Sequence, residues 1–371
     1  MDNTFESYIK NYLDEKYGDR SDELYSLSYI LQYLANKTRS ANRGAKARGS
    51  FANLYAIYVI VEDYLKHEFD QNGNYDQYEG AQFSVLFKRQ RELPFGSKLQ
   101  NHALNSRMND EFFKFFPTQR GIYPIMRNLE TQRYWFNENY LKIKVGNVSI
   151  NIATDIIHII DAYVAVKQDS FKIFIDQCQQ LQVIEDKEPD KVKSFILSLL
   201  APNVDARLFE IVSYAILKFF YRNQTIYWGY TIEEIRQEFL HLYKTGRTNA
   251  NDGGIDFVMK PLGRFFQVTE TLDFKKYFLD IEKIEKFPIS FVIKSEDTES
   301  DLRNKLRTDA IKTYVIRKVV DDYMSCIEEI INIPKLKDCL EEIENNGHIS
   351  DILKEIILQS KVEFNYEEDE D

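Results

Sequence analysis

Cysteine is scarce in this sequence. The 371 residues include three cysteines, Cys178, Cys326 and Cys339, which are odd in number and far apart. This spacing provides neither a disulfide framework nor the clustered thiols of a zinc site. Because disulfides persist mainly in oxidising compartments, the sequence favours a reducing, cytoplasmic location.

Long apolar runs and several catalytic motifs are also missing. No run of about 18 apolar residues occurs, so no membrane span is predicted. The first residues, MDNTFESYIKNYLDEKYGD, lack the basic start and apolar segment of a signal peptide. The five histidines have no metal-ligand spacing. No Walker A pattern is present, so an ATP-driven nuclease is not indicated. No G-x-S-x-G elbow is present either.

The net charge of −11 is unfavourable, as a whole-chain sum, for a nucleic-acid binder. Much of the acid lies in the C-terminal third and in the tail YEEDED, 366–371, which is predicted to be solvated. Binding depends on local charge at the contact surface rather than on this sum. Apolar residues make up 44% of the chain, which is enough for folded cores.

Two segments in the first third concentrate basic residues. NKTRSANRGAKARGS, 36–50, contains no acid, and FKRQRELPFGSKLQNHALNSR, 87–107, mixes basic residues with amides. Phosphate contacts need Lys, Arg and backbone amides, and base reading favours Arg, Asn and Gln. The segments predict a DNA-binding surface, with a plain solvated charged face as the alternative. The candidate DNA-binding residues are Arg39, Arg43, Lys46, Arg48, Lys88, Arg89, Arg91 and Arg107.

Composition and periodicity divide the chain into three regions. An N-terminal, mostly helical region is predicted over 1–185, and the charged, proline-containing stretch EDKEPDK ends it. A core is predicted over 195–300, and C-terminal helices with the acidic tail over 301–371. In the first region, helices are predicted near 3–16, 22–36 and 51–66, and strands within 140–155.

The core alternates predicted helices and strands. Helices are predicted over 205–223, 231–247 and 272–287, two strands within 252–270, and a buried strand over 287–295. Thr231 is the predicted N-cap of the second helix. This order predicts an α/β (α+β) fold in which helices flank a mixed sheet. Beyond the core, helices are predicted over 301–332 and 336–360.

The stretch DGGIDFVMKPLGRFFQVTE, 252–270, predicts two short strands joined by the turn KPLG, 260–263. Proline at the second turn position and glycine at the fourth suit a type I turn. Closing the hairpin at this turn sets Phe265 opposite Val258.

The same register brings polar groups together. It sets Gln267 opposite Asp256, and the alternation of side chains places Thr269 on the same face. An unpaired buried carboxylate is costly, and a divalent cation such as Mg²⁺ would compensate it through oxygen ligands. Asp256 and Gln267 are therefore candidate metal ligands. Alternatively, Asp256 caps the turn at Gly253 and Gly254, or bonds to Gln267 alone.

This pattern resembles the Mrr-like branch of the PD-(D/E)-x-K nucleases, which includes many restriction endonucleases. The family's pattern is an Asp, a spacer, then Asp, Glu or Gln, one further residue and Lys. Here DGGID and FFQVT supply the match, and the resemblance covers 205–295. The family also has an upstream helix that often adds a glutamate, and a helix and a buried strand that follow the hairpin. The resemblance implies Asp256 as the main metal ligand, Gln267 at the second acidic position and Glu210 as the upstream glutamate. Arg207, three residues before Glu210, allows an ordinary ion pair instead.

Thr269 stands where the family usually has Lys. That lysine orients or activates the attacking water and stabilises charge on the phosphate, whereas threonine carries no positive charge. Lys260 lies about 13 Å along the strand from Asp256, and Lys275 and Lys276 reach the site only in a favourable fold. A second metal or another lysine would have to fill the role, or the protein would be slow or inactive.

Together these features predict a type II restriction endonuclease that uses Mg²⁺ to hydrolyse phosphodiester bonds in double-stranded DNA at a specific sequence. The polar loop TGRTNANDGG, 245–254, is expected to contact DNA through Arg247, Asn249 and Asn251. Because cutting both strands of a palindrome needs two sites, a homodimer is expected. A cognate DNA methyltransferase is expected in the same system, without a stable complex.

Other interpretations stay open. One is related chemistry on another substrate, such as modified DNA or repair intermediates. Another is a DNA-binding protein without catalysis, in which 231–254 is a remnant of a helix-turn-helix. A third is a purely structural helical protein, for which Asp256 and Gln267 would matter only to stability.

Overall fold

The computed structural model describes residues 5–39, 47–72, 75–97, 99–185, 187–245 and 255–364. The chain divides into two compact units, Met1–Phe174 and Ile175–Asp371. Both combine helices with small sheets, so the fold is a mixed α and β architecture. Within the described ranges, no helix has the length and apolar character needed to cross a membrane.

The first unit is mainly helical. Helix α4 is its centre, because every residue from Phe51 to Val61 is buried, and a helix that is apolar on all sides belongs in a core. The helices are α1 (Phe5–Tyr17), α2 (Ser21–Leu27), α3 (Tyr29–Arg39), α4 (Ala47–Lys66), α5 (Phe69–Asn72), α6 (Phe83–Glu92), α7 (Met108–Phe115) and α8 (Ala153–Ile184), which continues into the second unit.

Five short strands complete the first unit's described part. Strands β1 (Ala81–Gln82), β3 (Arg133–Phe136) and β2 (Ile125–Asn128) form an antiparallel sheet in that order. Strands β4 (Lys142–Val145) and β5 (Val148–Asn151) form a hairpin, which confirms the strands predicted within 140–155.

The second unit is built around a five-stranded sheet in the order β12-β11-β10-β9-β8. Strands β8, β9 and β10 are antiparallel neighbours, whereas β10, β11 and β12 run parallel. Its strands are β6 (Thr225–Trp228), β7 (Arg236–Phe239), β8 (His241–Lys244), β9 (Phe257–Lys260), β10 (Arg264–Thr269), β11 (Ile289–Ile293) and β12 (Ile327–Ile331). Its helices after α8 are α9 (Pro189–Ser198), α10 (Ala206–Tyr221), α11 (Phe274–Lys283), α12 (Glu299–Thr313), α13 (Arg317–Ser325), α14 (Ile333–Asn345) and α15 (Ile349–Phe364).

Helices cover both faces of this sheet. On one face Phe266 of β10 packs against Tyr221 of α10, with ring centroids 6.1 Å apart. On the other face Phe265 packs against the cluster of α11 and α12 that contains Tyr277 and Leu302. Successive side chains of a strand point to opposite faces, so an apolar run such as FF serves both layers.

The predicted helix over 231–247 is wrong. Residues of this stretch form β7 and β8, and Thr231 has extended backbone angles without a capping hydrogen bond. Strands β6 and β7 pair as a hairpin, in which the Arg236 guanidinium lies 5.0 Å from the ring of Trp228. Gly229 permits the tight return, because an added Cβ would lie 2.7 Å from the backbone of Glu234. The helix-turn-helix interpretation therefore loses its first helix.

The predicted helices over 301–332 and 336–360 are each interrupted. The first ends at Thr313, and after α13 the chain enters β12, which pairs in parallel with β11. The run IEEII is rich in β-branched apolar residues, and burial in the sheet outweighs the helical preference of its glutamates. The second is broken after Asn345, and α15 begins at Ile349.

The packing of β10 against α10 predicts a large effect of Phe266→Ala. Phe266 is fully buried, so removing its ring should lower the free energy of unfolding by about 3–5 kcal/mol. Leu262→Ala is the control, because Leu262 is 51% exposed and should change stability by less than about 0.5 kcal/mol. Urea denaturation measures both, and equal effects would contradict this packing.

Candidate functional site

Asp256 lies directly before β9, at the end of the hairpin opposite the turn. The predicted register is confirmed through Phe265, which pairs with Val258. Past Phe257 the ladder becomes irregular: the Asp256 amide donates to the Phe266 carbonyl at 3.0 Å. The Asp256 carboxylate accepts from the Val268 amide, with 2.8 Å between Oδ2 and N. The side chain thus replaces a backbone acceptor where the two strands separate.

Glu210 is the second buried carboxylate of this region. Helix α10 begins at the N-cap Asp205, whose carboxylate accepts from the Arg207 amide at 2.8 Å. One turn later Glu210 is 6% exposed. The Arg207 guanidinium pairs with one Glu210 oxygen, and the Lys244 ammonium lies 3.3 Å from the other. The ion pair between Arg207 and Glu210 that their spacing allowed is therefore present.

The carboxylates of Asp256 and Glu210 act on each other electrostatically. Burial, together with the negative charge of Glu210, raises the pKa of Asp256 from 3.8 to about 8. The Val268 amide and the charges of Arg207 and Lys244 lower it, but less strongly. Glu210 thus disfavours the ionisation of Asp256, whose side chain is half-buried.

Gln267 and Thr269 lie on the sheet face that α11 covers. Gln267 is paired with Phe291 of β11, whose ring centroid is 4.5 Å from that of Tyr277 on α11. Its Oε1 is buried without a hydrogen bond among the described residues, and its Nε2 is 3.5 Å from the Val268 carbonyl.

Thr269 is held by local contacts. Its hydroxyl donates to the Thr271 carbonyl at 3.2 Å, and the Lys276 ammonium donates to it at 3.5 Å. In the described chain no hydrogen bond joins Asp256 to Gln267 or Thr269. The structure thus brings Asp256 and Glu210 together electrostatically, whereas the side chains of Gln267 and Thr269 are held by contacts of their own.

The oxygen donors of this region suit a hard cation. Among residues 5–364 that are described, no group of three His, Cys, Asp or Glu side chains is arranged for a metal. Mg²⁺ is commonly held by one or two carboxylates, with water and substrate phosphate as its remaining ligands. Asp256 and Glu210 fit this donor set, whereas Gln267 lies on the face of the sheet that α11 covers.

Sequence reasoning missed Lys244 and Glu363. Lys244 was assigned to a helix, but it ends β8, where its ammonium approaches Glu210. Glu363 of α15 lies 3.1 Å from Nε of Arg207, so Arg207 is held between two buried carboxylates. The spacing of Arg207 and Glu210 in the sequence indicated their ion pair, whereas nothing in the sequence indicated that Glu363 of α15 also contacts Arg207.

The basic candidates of the first unit differ in their partners. The Arg89 guanidinium forms two bonds with Glu62, of 2.8 and 2.7 Å, and is thereby held within the fold. Four other candidates are exposed. Arg39 pairs with Glu6, and Lys88 lies 3.9 Å from Glu92. Arg91 donates to the Ser97 carbonyl at 2.7 Å, and Arg107 lies in the turn before α7.

The two basic segments meet at the end of α3. The Lys37 ammonium lies 2.5 Å from Glu111 of α7. Burial lowers the pKa of Lys37, Glu111 raises it, and the nearby positive charge of Arg107 lowers it. Segments 36–50 and 87–107 therefore contribute to one region of the first unit.

Five predicted DNA contacts lie outside the described residues: Arg43, Lys46, Arg247, Asn249 and Asn251. Arg48 belongs to the first turn of α4.

Comparison with known proteins gives no match: no family model fits the chain, and no curated protein or solved structure is significantly similar to it.

The raised pKa of Asp256 predicts how stability depends on pH. The folded protein binds the Asp256 proton more tightly than the unfolded chain does, because folding raises this pKa to about 8. The contribution of Asp256 to stability therefore falls as pH rises from about 4 to about 8, with a slope approaching about 1.4 kcal/mol per pH unit.

Asp256→Asn removes this titration. The free energy of unfolding of the variant, minus that of the wild type, should grow between about pH 5 and about pH 8. Urea denaturation at several pH values measures the difference, in which groups common to both proteins cancel. A difference that does not change with pH would show that Asp256 titrates normally.

Proposed function

We propose that the protein is a Mg²⁺-dependent endodeoxyribonuclease of the type II restriction class, which cuts double-stranded DNA at a specific sequence. The observation that carries the proposal is the pair of carboxylates at the open end of the β9–β10 hairpin, half-buried Asp256 and buried Glu210. Two neighbouring carboxylates favour a hard cation, since a cation removes their mutual repulsion.

The order of elements around the pair also supports the proposal. Helix α10 carries Glu210, the β9–β10 hairpin follows Asp256, and α11 leads to β11, which pairs in parallel with β10. This is the succession expected from the resemblance to the PD-(D/E)-x-K nucleases. The resemblance assigns Asp256, Glu210 and Gln267 as metal ligands, and Thr269 occupies the position of the usual lysine.

The residues of this chain would act through charge and position. Bound Mg²⁺ supplies a water of lowered pKa and neutralises charge on the leaving oxygen. Asp256 and Glu210 would hold the cation by their carboxylates, which requires Asp256 to lose its proton. The Val268 amide fixes Oδ2 of Asp256 and leaves Oδ1 for a ligand. Arg207 orients Glu210 from the side of α10.

Target binding is proposed for the basic segments of the first unit, 36–50 and 87–107. Exposed Arg39, Lys88, Arg91 and Arg107 carry charge suited to phosphates. A homodimer would supply two cleavage sites for a palindrome, and a separate methyltransferase would protect the host's own sites.

A cleavage assay tests this function. Purified protein is incubated with unmodified phage and plasmid DNA, with Mg²⁺ or with chelator. We expect discrete fragments that require Mg²⁺, and a loss of at least about 100-fold in rate for Asp256→Asn. Asp280→Asn is the control, because Asp280 is a buried aspartate of another element, α11, and its ion-pair partner is Lys283.

Cation binding provides a second readout. Above about pH 8, saturating Mg²⁺ should raise the melting temperature of the wild type, because a ligand of the folded state stabilises it. Asp256→Asn should lose this increase, whereas Asp280→Asn should keep it. A melting temperature that Mg²⁺ leaves unchanged in all three proteins, with uncut DNA, would contradict the proposal.

A DNA-binding protein without catalysis is the second candidate. The observation that favours it is Thr269, which carries no charge and is held by the Thr271 carbonyl and Lys276. Uncut DNA together with a retained gel shift would favour this candidate, and cleavage restricted to methylated or otherwise modified DNA would favour a modification-dependent enzyme.

A further inference from the structure

We propose that Lys244 of β8 supplies the positive charge that Thr269 cannot provide, and that it acts on the phosphate held at Asp256 and Glu210. This inference rests on the proposed nuclease function and identifies a residue of the same site.

The position of Lys244 follows from the pairing of β8 with β9. Lys244 is the register partner of Phe257, and the next residue, Thr245, donates its amide to the Asp256 carbonyl at 2.9 Å. The last residue of β8 therefore lies beside the entry to β9. Since β8 and β9 are antiparallel, the end of one strand and the beginning of the other meet at the same edge of the sheet.

The ammonium group of Lys244 is directed to the carboxylate pair. Its side chain is 14% exposed, and Nζ lies 3.3 Å from Oε1 of Glu210. Its charge also acts on Asp256, where it opposes the effects of burial and of Glu210. Lys244 is thus linked to both acidic groups, although no motif in the sequence marks it.

Three other described lysines near the hairpin fit the role less well. Lys260 lies over the ring of Tyr243, 5.2 Å from its centroid, near the turn at the opposite end of β9. Lys276 contacts Thr269 from α11. Lys294 is bound to Glu270 at 2.8 Å and to the Val204 carbonyl.

Arg207 is close to the pair but is already bound on two sides. Its guanidinium contacts Glu210 and Glu363, and these contacts hold it as a positioning group for Glu210. A guanidinium also stays protonated, whereas an ammonium is a compact donor whose three hydrogens can turn towards a phosphate oxygen or a water.

Lys244 would change partners during the reaction. Glu210 and Asp256 would hold a cation that neutralises their charge, and the ammonium of Lys244 would then be available to a phosphate oxygen. In a site of low polarity a charge–oxygen hydrogen bond is strong, and it grows as negative charge develops in the transition state.

The test compares Lys244→Met with Lys276→Met and with a matched control, Lys218→Met. Lys218 of α10 also pairs with a buried glutamate, Glu355, at 2.8 Å. Single-turnover cleavage with Mg²⁺ should slow by about 100-fold in Lys244→Met and by less than about threefold in the control. Lys244→Arg, which keeps the charge, should recover part of the rate.

Cation affinity separates this role from a structural one. Calorimetric titration with Ca²⁺ in the absence of DNA should show tighter binding to Lys244→Met than to the wild type, by about tenfold, because a competing positive charge is gone. A collapsed site would instead bind Ca²⁺ more weakly. Slower cleavage together with tighter Ca²⁺ binding is therefore the expected result.

Four outcomes would overturn the inference. Normal cleavage by Lys244→Met would refute it while the nuclease function stands, and loss of cleavage in Lys276→Met alone would assign the role to Lys276. Slow cleavage with weaker Ca²⁺ binding would reduce Lys244 to a structural ion pair. If the wild type itself leaves all DNA intact, the proposed function fails and this inference fails with it.

Discussion

Two acidic side chains, Asp256 and Glu210, lie near each other at one end of the five-stranded sheet. The negative charge of Glu210 disfavours ionisation of Asp256, and the neighbouring groups act against this effect. The Val268 amide holds Asp256, while Arg207 and Lys244 face Glu210. Such an arrangement costs stability in a protein that has no use for it, because apolar residues would pack the same space more favourably. The folded chain therefore holds Asp256 in surroundings where it ionises less readily than in the unfolded chain.

The elements with strong local signals were predicted from the sequence. The apolar run of α10 and the buried strand β11 are where their periodicity indicated, and the turn before β10 set the pairing of Phe265 with Val258. Gly263 has a φ of +69, which glycine adopts without strain. The ion pair of Arg207 with Glu210 also followed from helical spacing.

The elements without strong local signals were not predicted from the sequence. The stretch that forms β7 and β8 has apolar residues three and four apart, and this spacing reads as helical although Leu240 and Leu242 are buried by alternation. Because that stretch was taken for a helix, Lys244 was not considered beside Asp256. Strand β12 was missed for a related reason, since its pairing with β11 is a tertiary contact that no short window of sequence contains.

Helix α15 has a consequence for the order in which the site can form. The second ion-pair partner of Arg207 is Glu363, which lies near the end of the described residues. During synthesis the chain emerges from its N-terminus, so the hairpin and α10 are made well before their last partner. A nascent chain that stops short of Glu363 leaves Arg207 paired with Glu210 alone. If the arrangement of Glu210 depends on both contacts, the group of charged side chains around Glu210 is complete only after α15 has been made.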